Sequence, residues 1–291
     1  MRDSRAGLRV VAAGRLSTVQ DLGRPGQFAR GVGVSGAADR GALRLANRLT
    51  GNPEGAAGIE SLLGGLELEV TAHVVLAVTG AEAEVTVDGR PVATHTTLAL
   101  RPGQHVAVGM PRAGLRTYLA VRGGVDVAPV LGSRSYDTLA GLGPPPLADG
   151  DLVPVGPVPD DPLPDQDQAP RLSPPTEDHL RLPLAPGPHR DWFPDPDALV
   201  HGAWAVSAEA DRVGVWLDGP RIERRSQEIP TEGMCLGAVE VVPSGRACVF
   251  LADHPITGGY PVIGVVPRRH LDALAQARPG QPVTFYPAHR G

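Results

Sequence analysis

A chain of 291 residues, 42% of them hydrophobic, carries enough apolar material for a substantial core and fits about two domains. Its formal net charge of −5 offers no cationic face for a phosphate backbone, which argues against nucleic-acid binding. All 27 basic residues are arginine; without lysine the chain can form no Schiff base, give no P-loop lysine to a nucleotide and carry no biotin of its own.

The 37 glycines and 31 prolines favour short strands joined by turns over long helices. Residues 8–12 read as a first strand, and Gly-rich sequence over 21–36 then leads into a helix. Ala42, Leu45, Ala46 and Leu49 recur at i, i+3, i+4 and i+7 and share one buried face. Ser35 offers an N-terminal cap region, and Gly51-Asn52-Pro53 stops the helix. Arg40, Arg44 and Arg48 form a stripe on another face, either solvated or suited to an anion or a docking partner.

From Leu66 the pattern changes to period two. Ala83, Val85 and Val87 alternate with polar neighbours and end at Asp88-Gly89, a hairpin turn signal. Further strands are expected over 73–78, 96–100, 105–109 and 115–121, a spacing that suggests an all-β barrel or sandwich. The stretch 144–196 is rich in Pro and Asp and reads as a linker or long exposed loop. The expected division is an N-terminal half over 1–165, a linker over 166–195 and a C-terminal half over 196–291. Strands near 213–217, 236–242, 247–251 and 262–266 and a short helix at 270–277 fill that second half.

Arg101-Pro102-Gly103-Gln104, with Val106 beyond, recurs as Arg278-Pro279-Gly280-Gln281 with Val283 beyond. Such an echo predicts the same turn-and-strand unit in both halves.

Gly31-Val32-Gly33-Val34-Ser35-Gly36 satisfies G-x-G-x-x-G, but no strand immediately precedes it and no strand–helix alternation follows, which argues against a dinucleotide fold. Backbone N–H groups at the helix start could still take a carboxylate or phosphate. The sequence has no G-x-S-x-G or H-E-x-x-H, and its nine histidines show no metal-ligand spacing, so no metal is expected. Cys235 and Cys248 read as buried thiols rather than a disulfide. Neither a signal-peptide core nor an apolar run of ~20 residues is present, so a soluble, cytoplasmic protein with no membrane partner is expected. Asp253-His254 follows the apolar Val249-Phe250-Leu251 and precedes Thr257-Gly258-Gly259-Tyr260-Pro261. Such a strand end either presents polar groups beside a ligand or closes a tight turn with an Asp cap.

Longer motifs then carry a resemblance. They are Ser17-Thr18-Val19-Gln20-Asp21-Leu22-Gly23-Arg24-Pro25-Gly26, Ser35-Gly36-Ala37-Ala38-Asp39-Arg40, Leu45-Ala46-Asn47-Arg48-Leu49 with Gly51-Asn52-Pro53, Thr79-Gly80-Ala81, Val121-Arg122-Gly123-Gly124 and Leu131-Gly132-Ser133-Arg134-Ser135. In the second half come Asp211-Arg212-Val213-Gly214, Thr231-Glu232-Gly233, Gly237-Ala238 and Asp253 with Thr257-Gly258-Gly259-Tyr260-Pro261. Together they resemble the biotin-dependent carboxyltransferase-like family, which includes the C-type subunit of 5-oxoprolinase, KipA, allophanate hydrolase subunit 2 and the carboxyltransferase portion of urea carboxylase.

The resemblance implies a mainly β fold of two cyclophilin-like β-barrel domains with a few short helices. It implies a hydrolase subunit that opens 5-oxoproline to glutamate at the expense of ATP, with the nucleotide shared with a KipI-like B-type subunit and with a third subunit in the complex. Asp253, His254 and Glu232 are its catalytic candidates, and Arg122, Arg212, Asp39, Arg40, Asn47, Thr257 and Tyr260 its substrate-binding ones. Arg122 and Arg212 lead because a guanidinium fork matches the carboxylate of 5-oxoproline. A carboxyltransferase acting on a partner's carboxybiotin and a KipA-like regulatory binder are the alternatives. The chain departs from the family at Asp211 (usually Asn), Glu240 (usually Gln) and Asp253-His254-Pro255-Ile256, where Asp-Arg-Gln-Thr is usual; the last change replaces a fixed cation with a titratable imidazole.

Overall fold

Period-two patterning becomes strand wherever one face of the segment is apolar. In the computed structural model, which describes residues 6–165, 168–169, 179–227 and 229–288, those strands gather into two units. Unit 1 is drawn from Met1–Arg24, Asp39–Asp137 and Gly141–Pro174, and unit 2 from Pro25–Ala38, Thr138–Ala140 and Pro175–Gly291. Two short stretches of the N-terminal half thus belong to the second unit, an arrangement the expected boundaries 1–165, 166–195 and 196–291 did not foresee.

Unit 1 holds strands β1 (Ala6–Ala13), β2 (Leu16–Gln20), β3 (Gly58–Leu62), β4 (Leu66–Val70), β5 (Val74–Glu82), β6 (Val85–Val87), β7 (Arg90–Val92), β8 (Thr97–Leu100), β9 (His105–Val108), β10 (Ala113–Val121) and β11 (Leu152–Pro154). They form a six-stranded sheet ordered β11-β1-β4-β9-β6-β7 and a five-stranded sheet ordered β2-β3-β10-β5-β8. Both contribute to one core: Leu8, Val10, Leu66, Leu68, Val106 and Val108 from the first meet Val19, Ile59, Leu76, Val78, Leu119 and Val121 from the second. Asp88 and Gly89, at φ 50° and 73°, make the β6–β7 turn, a backbone twist matched to antiparallel strands.

Helix α1 (Arg40–Leu49) is in register with the apolar spacing and buries Ala42, Leu43, Leu45, Ala46 and Leu49. Its cap is Asp39, whose carboxylate accepts from the Ala42 N–H at 2.9 Å, and not the Ser35 region expected from sequence. That anionic cap also removes the helix start as a phosphate site. Arg44 and Arg48 of the stripe pair with Glu54 at 3.6 and 2.7 Å on the surface.

Unit 2 is a closed barrel of β12 (Leu180–Pro186), β13 (Trp204–Val206), β14 (Gly214–Asp218), β16 (Ala238–Val241), β17 (Ala247–Phe250), β19 (Val262–Val265) and β20 (Pro282–Pro287), with a separate ribbon of β15 (Glu232–Gly233) and β18 (Thr257–Gly258). The barrel order is β12-β19-β16-β17-β14-β13-β20, closed by the parallel β12–β20 pair. Helices α2 (Ala198–His201) and α3 (Leu271–Ala275) add Leu199, Leu271 and Leu274 to its core. Strand β12 lies inside the stretch read as linker: Leu180, Leu182 and Leu184 alternate into the core, and the Pro- and Asp-rich surroundings mask that signal.

The repeated tetrapeptide builds the same turn twice. Gln104 Oε1 accepts from Arg101 N and Gln281 Oε1 from Arg278 N, both at 3.0 Å. Gly103 and Gly280 take φ of 86° and 83°, and their N–H groups donate to the carbonyls of Val70 and Val206, the last residues of β4 and β13. Each turn then feeds the antiparallel partner of that strand, β9 or β20.

Candidate active site

Asp253 stands just beyond β17, where its N–H donates to the Arg212 carbonyl at 2.9 Å and ties that loop to the approach to β14. Its carboxylate is 1% exposed. Oδ2 accepts from Arg212 Nε at 2.8 Å, Thr138 N at 2.9 Å and Thr138 Oγ1 at 2.8 Å. Oδ1 accepts from Ser35 Oγ at 2.6 Å and Arg212 Nη2 at 3.0 Å. Burial alone would push the carboxyl up, but Arg212's charge and hydrogen bonds, with those of Ser35 and Thr138, outweigh it and hold Asp253 below its ordinary value of 3.8. Arg212, 3% exposed, also donates to the Gly36 carbonyl at 2.7 Å.

Five donors fill the lone-pair capacity of a carboxylate. Asp253 is therefore an ionised latch that gathers Ser35, Thr138 and Arg212, and it has no basic lone pair left to take a proton. Arg212, offered above as a carboxylate receptor, spends its fork on Asp253. At the end of the glycine-rich segment, the Ser35 hydroxyl and the Gly36 carbonyl are likewise bound into this latch.

The outer face of the barrel is chemically richer. Alternation sends Val239 and Val241 inward and turns Glu240 outward, opposite Cys248 of β17. Glu240 there is 7% exposed, beside a bed of Met234, Ala238, Cys248, Phe250 and Val262. Burial pushes its carboxyl above the usual 4.5, against the Tyr260 N–H bond and the Arg224 charge. The same burial, helped by Glu240, pushes the Cys248 thiol up to about 12 and keeps it unreactive. A side chain on Gly258 of β18 would start 2.9 Å from Glu240 Oε1 and 3.0 Å from Met234, so the ribbon lies close against this face and a larger residue there would push those side chains aside.

Four expected site residues rim this face. Glu232 lies 3.2 Å from His189 Nε2, while His189 Nδ1 accepts from the Val262 N–H at 3.1 Å, which places the ring proton on Nε2. His254 stacks on Phe250 with ring centroids 5.9 Å apart, and its Nδ1 lies 2.8 Å from the Pro255 carbonyl. That contact puts the proton on Nδ1 and leaves Nε2 as the acceptor. Thr257 pairs with Gly233 in the ribbon, and Tyr260 lies under the Arg224 guanidinium, 5.7 Å from its ring centre.

The remaining candidates belong to unit 1. Asp39 caps α1, and its N–H donates to Tyr118 Oη, which donates in turn to Glu60 at 2.8 Å. Arg40 opens the same helix. Asn47 is spent on structure: its Nδ2 donates to the Glu54 and Ala56 carbonyls and its Oδ1 accepts from Asn52, so it offers nothing to a substrate. Arg122 donates to the carbonyls of Thr50 and Pro159, each at 3.0 Å, and to that of Asp161. Asp211 accepts from Val213 N and Gly214 N, capping the turn into β14.

The carboxyltransferase domain model, subdomains A and B, matches residues 30–287. The chain belongs to this family. Within it, the 5-oxoprolinase C subunit of Escherichia coli K12 is 36% identical over 284 residues, covering 96% of this chain and 90% of that one. The equivalent C subunit of Haemophilus influenzae is 32% identical, covering 92% and 87%. The urea amidolyase of Lachancea kluyveri is 29% identical, and the match takes in 96% of this chain but 17% of that enzyme. Among solved structures, Kluyveromyces lactis urea carboxylase superposes with a TM-score of 0.90 at 29% identity, covering 99% of this chain and 28% of that one. TTHA0988 gives 0.86 at 35% identity; the present chain spans 56% of its length.

In this carboxyltransferase-family chain, Ser35 and Thr138 escaped sequence reasoning because they lie 218 and 115 residues from the Asp253 they bind. His189 and Arg224 carry no motif. Glu240 stood out in the sequence only as a departure from the family's usual Gln, although a charged residue within an otherwise apolar strand is a signal in itself. Cys248 is buried as expected, but Cys235 is exposed, because it lies in the turn before β16 rather than in the strand. No group of three or more potential ligands among the described residues could hold a metal ion, and no helix there is long and apolar enough to cross a membrane.

Proposed function

We propose that this chain is the C-type subunit of an ATP-dependent 5-oxoprolinase, working in the cytoplasm with a KipI-like B-type subunit and a third subunit to open 5-oxoproline to glutamate. The observation that carries this reading is the 36% identity to the Escherichia coli C subunit over nearly the full length of both chains. The outer face of the barrel suits the chemistry. Lactam opening adds water across the carbonyl-to-nitrogen bond, and the departing nitrogen needs a proton. Glu240, kept protonated more readily than an ordinary carboxyl, would donate it. His254 Nε2 would accept the proton of the attacking water, and the Glu232–His189 pair would orient it. Asp253 would serve as a positioning residue, fixing the loop that carries His254.

The residues here do not fit a triphosphate. The chain has no lysine, and the Ser35 hydroxyl and Gly36 carbonyl are spent on the latch. Binding of ATP is accordingly assigned to the partner chains, and no step on this chain runs through it. In a reconstituted assay, this chain with its two partners should release glutamate from 5-oxoproline only with ATP. Glu240→Gln and Glu240→Ala should each lose most of that activity, since neither side chain can donate the proton. Absence of glutamate release with all three chains present ends the proposal.

The TM-score of 0.90 to Kluyveromyces lactis urea carboxylase favours a second reading, transfer of a carboxyl group from biotin on another protein. That reading requires avidin to abolish turnover, whereas avidin leaves the 5-oxoprolinase reading untouched.

A further inference from the structure

Unit 1 contains a cavity of about 510 Å³ that the proposed reaction does not use. Its walls are Val74, Val75, Leu100, Val155, Val158 and Leu163, and Arg122 is the charged side chain among them, with His73 at the exposed edge. That volume is within the range of small-molecule sites, as is a mostly apolar lining with one polar anchor.

Arg122 is 9% exposed and cannot shed its proton. Its three hydrogen bonds all go to backbone carbonyls, of Thr50, Pro159 and Asp161. Carbonyls satisfy donors without cancelling charge. Among the described residues no carboxylate lies within ion-pair distance, and Nε keeps a hydrogen without a partner. Two other buried guanidiniums have such a counter-charge, Arg212 in Asp253 and Arg116 in Glu60 at 3.5 Å; Arg24, 1% exposed and bonded to the Ser135 carbonyl, shares the lack of one but lines no part of this cavity. A desolvated cation at an apolar cavity is therefore matched by an anion with an apolar body. We propose that this cavity binds an aliphatic or aromatic monocarboxylate, its carboxylate on Arg122 and its body on the Val74–Leu100–Val158–Leu163 surface. 5-Oxoproline, a small ring bristling with polar groups, would leave those walls uncovered, so this site is separate from the one proposed for the lactam.

The test uses the full chain by itself, without ATP or partners, so its outcome is independent of the 5-oxoprolinase assay. Isothermal titration with octanoate should give saturable one-to-one binding, whereas octanol and 5-oxoproline should give none. Arg122→Gln should weaken octanoate binding about tenfold or more, the loss of a charge-assisted pair. Ala99 is exposed and lines the cavity on β8, so Ala99→Phe should fill the space and abolish binding while leaving the thermal unfolding of the chain unchanged. That second variant matters because Arg122 also braces the loop carrying Val158. The proposal is overturned by absence of saturable binding, by octanol binding as well as octanoate, by octanoate affinity that either substitution leaves intact, or by Arg122-dependent binding of 5-oxoproline.

Discussion

Arg212 in the barrel and Arg122 in the two-sheet unit are both buried, both follow a family motif, and both were expected to receive a substrate carboxylate. The protein neutralises one internally and leaves the other charged. Around Arg212 the ion pair with Asp253 is fully satisfied and closes the site to chemistry. Around Arg122 the hydrogen bonds are present but the charge is not cancelled. Hydrogen bonding to carbonyls and charge neutrality are thus separate requirements, and the arginine that has the first without the second is the one proposed to receive an external anion.

The sharpest way to break this comparison is Asp253→Ala. It strands a buried guanidinium and should cost about 3–5 kcal/mol in urea unfolding. Arg122→Met removes bonds to carbonyls but strands no charge, so it should cost about 1–3 kcal/mol. Equal losses in the two variants would show that the two arginines do not differ as described.

Acid sharpens the contrast further. Asp253 is held below its ordinary 3.8, so its stabilising contribution is complete above that value and is lost as the pH falls through the lower folded one. Wild-type protein should lose stability below about pH 4 more steeply than Asp253→Asn, measured by unfolding at stepped pH. Glu240 has the opposite sign. Its raised carboxyl makes the fold lose stability as the pH rises from 4.5 through the folded value. Glu240→Gln should remove that slope, the smallest of these effects, and a retained slope would assign it to another group.

Local chemistry was legible in the chain wherever neighbours in sequence decide it. The spacing of Ala42, Leu45, Ala46 and Leu49 gave α1, Asp88-Gly89 gave the β6–β7 turn, and the doubled Arg-Pro-Gly-Gln gave a turn braced alike in both units. Strand β12 was hidden by its prolines. Over 180–184 it pairs with β20 and has no ladder to β19, and a strand paired on one side tolerates Pro183. The site was less legible because its bonds join residues far apart in sequence. Nothing local distinguishes a Ser35 that caps a helix from one that donates to Asp253. Nor does a motif reveal that Asn47 has exhausted its donors inside the loop it stabilises.

The barrel's seam joins its earliest strand to its latest. Because β12 is zipped in parallel to β20, the ring has no free edge to recruit a foreign strand, and it stays open until β20 has been made. During synthesis the preceding six strands must wait as an incomplete sheet with a raw margin, the stage at which this half of the molecule is most exposed to mispairing with its neighbours.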